Sequence, residues 1–129
     1  MSKKILIVDD EPHIRALLEQ TLEDFEDEGI ELLTAGDGQE AWDLIQEEKP
    51  NLVILDVMMP RMSGYEVCER LKAEPSLKDT YVIMLTAKGQ EVDRQRGEQV
   101  GADEYVTKPF DPDYLIERSE AVLGVSILG

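Results

Sequence analysis

The sequence predicts an α/β fold, a five-stranded parallel sheet with helices on both faces. Three observations lead there. Strand-like and helix-like segments alternate along the whole chain, the pattern of right-handed crossovers between parallel strands. The segments at residues 5–8 and 52–55 are short, unbroken apolar runs, as expected of strands covered on both faces. The chain has 129 residues, 42% hydrophobic and 33% charged, which suits one soluble domain with its own core.

Each element has its own signal. Ile5-Leu6-Ile7-Val8 is the first strand. Pro12 opens a helix, since a first-turn proline loses no intrahelical bond. Ile14, Leu17, Leu18, Leu22 and Phe25 fall on its apolar face, and Gly29 stops it. Residues 30–35 read as a more polar edge strand. Asp37 caps the second helix, with Glu40 three residues on as in a capping box, and Ala41, Leu44 and Ile45 face inward. Pro50-Asn51 ends it, and Leu52-Val53-Ile54-Leu55 runs straight into Asp56. Ser63 caps a helix carrying Val67, Cys68 and Leu71, and Pro75 marks its end. Residues 81–85 form the fourth strand, 91–100 a weak helix and 104–107 the fifth strand. Asp111 or Asp113 starts the last helix, through Leu115, Ile116 and Val122.

Charge narrows the function. Lys plus Arg number 13 and Asp plus Glu 29, a net −16. Such a field disfavours nucleic acid and anionic membranes, so the expectation is that DNA is not a partner. Cations and basic protein surfaces suit it better. A single cysteine, Cys68, excludes an internal disulfide and a cysteine-based zinc site. The only apolar run near the start is four residues long, too short for a signal peptide or a membrane span. The expected location is the cytoplasm, with no membrane insertion.

The chemistry collects where strands end. Asp9 and Asp10 follow the first strand, Asp56 the third, Thr86 the fourth and Lys108 the fifth. In an open parallel sheet these ends share one edge, where ligands bind. Three carboxylates in one crevice repel each other, and a divalent cation relieves that. Hard oxygen donors suit Mg²⁺, with Mn²⁺ as a substitute, rather than zinc. Magnesium held by carboxylates and phosphate oxygens implies phosphoryl transfer. Asp56, on a rigid central strand, suits a nucleophile that forms an aspartyl phosphate. Lys108 supplies a point charge and Thr86 a hydroxyl donor, while Ala87 leaves room for the phosphodonor.

Four segments in order carry a resemblance. They are Ile7-Val8-Asp9-Asp10-Glu11-Pro12, Asp56-Val57-Met58-Met59-Pro60-Arg61-Met62-Ser63-Gly64, Leu85-Thr86-Ala87-Lys88, and Gly101-Ala102-Asp103-Glu104-Tyr105-Val106-Thr107-Lys108-Pro109-Phe110. Together they resemble the receiver domain of two-component response regulators, over essentially the whole chain. The resemblance implies the flavodoxin-like strand order 2-1-3-4-5. It implies that Asp56 is the phosphoacceptor, that Asp9, Asp10, Asp56 and the backbone carbonyl of Met58 bind the metal, and that Thr86 and Tyr105 form a switch pair. It also implies a cis Lys108-Pro109 bond. The phosphodonor is then a sensor histidine kinase or a histidine phosphotransfer protein, and the output protein is unknown. Such a domain catalyses only its own phosphorylation and dephosphorylation and is not an enzyme toward other substrates.

Two alternatives stay open at this stage. A magnesium-dependent phosphatase with an aspartyl nucleophile resembles this site but places a second Asp two residues after the first, where this chain has Met58. A docking pseudo-receiver usually loses an acid, the Thr or the Lys, and none is lost here. The remaining conspicuous residues read as structural. His13 is a surface residue, Trp42 is partly buried, Cys68 is inert core, and the acids at 23, 24, 26, 27, 28 and 31 are solvated surface. Gly97 and the two apolar anchors Val92 and Val100 make the 91–100 helix weak, which suits a signalling surface. The domain is expected over 1–124. Residues 125–129 form a short tail that docks or begins a linker, and no effector domain follows.

Overall fold

The computed structural model describes residues 3–59, 61–87 and 100–127. Strands β1 (Lys4–Val8), β2 (Glu31–Ala35), β3 (Leu52–Asp56), β4 (Tyr81–Ala87) and β5 (Glu104–Lys108) alternate with helices α1 (Pro12–Leu22), α2 (Gly38–Glu48) and α3 (Gly64–Ala73). Helix α4 (Pro112–Leu123) follows β5. The strands form one parallel sheet in the order β2-β1-β3-β4-β5. The expected 91–100 helix, with Val92 and Gly97, lies outside the described residues apart from Val100, as do Pro60, Lys88 and the last two tail residues.

Alternation of side chains along the strands divides the core in two. Leu6, Val8, Val53, Leu55, Val82 and Met84 face Ala41 and Ile45 of α2 and Val67, Cys68 and Leu71 of α3. Ile5, Ile7, Leu52, Ile54, Ile83 and Leu85 face Leu18 and Leu22 of α1 and Leu115 and Leu123 of α4. Every residue of β3 is buried, which fixes the register that aims Asp56.

The caps follow the sequence closely. Asp37 accepts from the Glu40 N–H at 2.8 Å, Ser63 from the Glu66 N–H at 3.3 Å and Asp111 from the Asp113 N–H at 3.0 Å. The Glu40 carboxylate reaches the Gly36 N–H at 2.8 Å, one residue short of a reciprocal capping box. Two expectations change. Helix α1 stops at Leu22 and continues as a 3-10 turn over Glu23–Glu28, with Phe25 fully buried within it. Phe25 keeps the face of Leu18 and Leu22 and joins the same core, and Gly29 closes the turn at φ 80°. Leu17, expected on the apolar face, is 45% exposed. Of the tail, Val125 and Ile127 pack on the second core, and the Ile127 N–H donates to Glu120 at 2.6 Å.

Candidate functional site

The site is built from strand ends. Asp9 directly follows β1, is fully buried, and accepts from the Glu11 N–H at 2.9 Å. Its own carbonyl accepts from the Arg15 guanidinium at 2.7 Å. Asp10, next in the chain, is exposed. Asp56 is the last residue of β3 and is buried. One oxygen from each of the three carboxylates lies within 4.8 Å of the others. Lys108, the last residue of β5, bridges two of them: its ammonium is 3.0 Å from Asp9 Oδ2 and 3.2 Å from Asp56 Oδ1. The Lys108–Pro109 bond is cis, as the resemblance implies. The cleft above is lined by Asp10, Glu11, Asp56, Met58, Leu85 and Lys108.

Electrostatics follow from this crowding. Burial, and then the charge of Asp9, raise the Asp56 pKa to about 6 against the pull of Lys108. Burial acts to lower the Lys108 pKa, but the hydrogen bond to Asp9 and the charges of Asp56 and Asp9 outweigh it and hold the pKa above its ordinary value. Among the described residues, the Lys108 ammonium is the one cation paired with this cluster, and it reaches two of the three acids. Every donor is a carboxylate oxygen, the hard type that Mg²⁺ or Mn²⁺ takes, so the residues present fit a divalent cation.

The other expected site residues lie close by but point differently. Met58 is 65% exposed, and its N–H sits 3.4 Å from Asp56 Oδ1. Thr86 is buried one position beyond Leu85, which pairs with Asp56. By alternation it shares the face of Met84, whereas Asp9, Asp56 and Lys108 continue the opposite face. Tyr105 pairs with Met84 and packs partly buried against the same core as Met84. The structure thus brings the three acids and the lysine together and sets Thr86 and Tyr105 behind them on the other face. His13 is exposed, with Nε2 3.1 Å from Glu11. Trp42 is half-buried against the first core, and burial pushes the Cys68 thiol up to about 12, so it is inert at neutral pH.

Sequence reading missed the supports. Arg15 lies one helical turn after Glu11 and reaches back to Asp9. The Asp37 carboxylate also accepts from Arg61 at 3.2 Å. Gly64 had a visible signal in its place directly after the Ser63 cap. A Cβ there would lie 2.2 Å from the Asp56 carbonyl oxygen, so only glycine lets α3 start so close to the acid.

Comparison with known proteins places this geometry. The sequence profile described as response regulator receiver domain matches residues 5–120. A protein of Cyanophora paradoxa named probable transcriptional regulator ycf27 is 50% identical over 94% of this chain and 48% of its own length. The alkaline phosphatase synthesis transcriptional regulatory protein PhoP of Bacillus subtilis is 45% identical over 95% of this chain and 49% of its own. The chain spans about half the length of these curated relatives. Among solved structures, the chemotaxis protein CheY4 of Vibrio cholerae superposes with a TM-score of 0.82 at 36% identity, covering 95% of this chain and 100% of that one. The receiver domain of the sensor histidine kinase PA1611 from Pseudomonas aeruginosa shares the fold at 24% identity and a TM-score of 0.84, covering 96% of this chain and 99% of that one.

These relatives correct one expectation. The net charge led to DNA being ruled out as a partner, yet the curated relatives are named as transcriptional regulators, a role exercised on DNA. The physical reason is range. Charge acts over a Debye length of about 8 Å in physiological salt, so the acidity of one domain does not govern contacts made elsewhere in a regulator. Among the described residues, no helix is long and apolar enough to cross a membrane. With the profile matched along nearly its whole length and the three acids and lysine at one sheet edge, the chain belongs to the response regulator receiver domain family.

Proposed function

We propose that this domain takes a phosphoryl group from a phosphohistidine onto Asp56, with Mg²⁺ held by Asp9, Asp10, Asp56 and the Met58 carbonyl, and that Mn²⁺ can substitute. The observation that carries this reading is the cluster of three carboxylates within 4.8 Å, two of them bridged by Lys108. The PA1611 receiver domain, solved with a magnesium ion coordinated in its active site cleft, supports the metal. When bound, the ion supplies positive charge to phosphoryl oxygens and to the acids. The chain's own residues do the rest. An Asp56 oxygen attacks phosphorus, the P–N bond to imidazole breaks, and the imidazole leaves with the bonding pair and takes up a proton. The Lys108 ammonium neutralises charge on the transferred group. Asp9, pinned by the Glu11 N–H and Lys108, keeps that ammonium in place.

The output follows from the switch pair. The Thr86 hydroxyl moves toward the phosphoryl group, and Tyr105, on the same sheet face, turns into the space it leaves. A partner-binding surface around β5 and α4 changes with them. Moving two states from 1:99 to 99:1 takes ~5.5 kcal/mol of differential interaction, and charge-assisted bonds to Thr86 and Lys108 supply part of it. The donor is a sensor histidine kinase or histidine phosphotransfer protein in the cytoplasm, and the output is control of transcription. Residues 1–124 form the signalling unit and 125–129 its tail. The domain turns over no separate substrate; Met58 leaves no second acid for a phosphatase cycle.

Incubation with acetyl phosphate and Mg²⁺ tests this. A stoichiometric, acid-stable and base-labile adduct is expected. Continuous turnover of unrelated phosphoesters would point to the phosphatase, and absence of any adduct to a docking module.

A further inference from the structure

We propose that Asp37 and Arg61 are positioning residues that set the loop carrying Met58 over the carboxylate cluster, a proposal that rests on the metal-dependent reading of that cluster. The loop leaves Asp56 and returns at the Ser63 cap of α3. Its near end is fixed by backbone: the Val57 N–H donates to the Leu85 carbonyl at 3.2 Å, and the Gly64 N–H to the Val57 carbonyl at 2.9 Å. Its far end lies against the start of α2, where a Cβ on Gly38 would sit 1.8 Å from the Met62 carbonyl oxygen. Between them, the tie among the described residues is made by side chains. Asp37 Oδ1 caps α2 through the Glu40 N–H, and Oδ2 accepts from Arg61 at 3.2 Å.

Arg61 has φ 69°, a left-handed backbone that glycine adopts without steric cost. A bulky residue there needs a reason, and its reach to Asp37 supplies one. The carboxylate that caps α2 also holds the loop by its second oxygen. Met58, whose N–H faces Asp56 at 3.4 Å, is carried on that loop. Arg61 is 73% exposed along its side chain, so the pair is worth little to global stability. Its contribution lies in where the loop sits.

Two variants separate these effects. Arg61→Gly removes the guanidinium and relaxes the backbone. Asp37→Asn keeps a capping oxygen and removes the charge. Mg²⁺ alone is titrated calorimetrically into the metal-free full chain. Each variant is expected to weaken Mg²⁺ binding about three- to fivefold, the range an exposed ion pair can supply. The double variant should be no weaker than either single one, Arg61→Lys should recover part of the loss, and the melting temperature of Arg61→Gly should not fall. Unchanged affinity in both single variants overturns the proposal, as do additive losses in the double variant or a melting temperature that falls with affinity. If the wild type itself binds no Mg²⁺, the metal-dependent reading fails first and the positioning proposal falls with it.

Discussion

The two edges of the sheet treat charge in opposite ways. At the amino-terminal edge, polar groups find matching partners. The Lys72 ammonium donates to the Lys78 and Thr80 carbonyls at 3.2 and 2.7 Å and to Asp103 at 2.7 Å. Asp103 also accepts from the Val82 N–H at 2.8 Å, and the Thr80 hydroxyl donates to the Pro50 carbonyl at 2.9 Å. At the carboxyl-terminal edge, three acids gather around one lysine among the described residues, and Asp56 is left with a pKa of about 6. The first edge is closed and stabilises the fold. The second holds an excess of negative charge that a cation can offset. Function sits where the pairing is incomplete.

The largest effect that would break this contrast comes from the closed edge. Lys72→Met leaves Asp103 and two carbonyls short of a donor. It should cost about 2–3 kcal/mol, since three hydrogen bonds from one mostly buried ammonium are lost together, and it should barely change Mg²⁺ affinity. Urea unfolding and a metal titration on the same variant check both halves.

Asp56→Asn tests the open edge, and its sign is opposite. Without metal the variant should be more stable than wild type at neutral pH, by up to about 3 kcal/mol. The pH dependence follows from the same shift. Below the ordinary carboxylate value of 3.8, Asp56 is protonated folded or unfolded. Between there and about 6 the folded state keeps a proton that the unfolded state has lost, so Asp56's contribution to stability decreases as pH rises through this window. Above it the full cost of ionisation is present. The difference between wild type and Asp56→Asn in metal-free urea midpoints should therefore widen from pH 4 to about 6 and then level off.

Mg²⁺ should raise the wild-type melting temperature, by an amount equivalent to about 2.7 kcal/mol at a hundred times its Kd. Asp10→Ala should remove most of that gain. A differential scanning experiment with and without EDTA reads it directly, and an equal gain in Asp10→Ala would place the ion elsewhere. The smallest effect on stability is expected from Thr86→Ala, about 1 kcal/mol. That variant should still accept the phosphoryl group, but amide shifts at 86–87 and 100–110 should respond far less than in wild type.

Much of this contrast was legible in the sequence. Leu52-Val53-Ile54-Leu55 followed by Asp56 reads as a buried strand delivering an acid to an edge, and the structure has that strand and that edge. What stayed hidden depends on long-range partners or on local winding. Lys108 meets Asp9 across 99 residues, and no spacing rule predicts which acid it takes. The buried face of α1 runs through Leu18, Leu22 and on to Phe25, as the spacing predicts, but it is narrower than the apolar stripe and leaves Leu17, about 100° around the helix from Leu18, exposed. The left-handed Arg61 occupies a position where sequence alone would expect glycine. Thr86, expected to end its strand, is the penultimate residue of β4, which runs on to Ala87, and pairs with Thr107 rather than Lys108, so strand parity places Thr86 and Lys108 on different faces. The charge argument about DNA failed for another reason: the charge of a receiver domain does not decide what a regulator carrying such a domain binds, as the relatives named transcriptional regulators show.

On the proposed function, the open edge directs an incoming phosphoryl group onto Asp56. Peptide mapping by tandem mass spectrometry after treatment with acetyl phosphate and Mg²⁺ tests it most directly. A single phosphoryl group on Asp56 is predicted, absent from Asp56→Asn and absent when EDTA replaces the metal. A phosphoryl group found on another residue in wild type, or full labelling of Asp56→Asn, would contradict it.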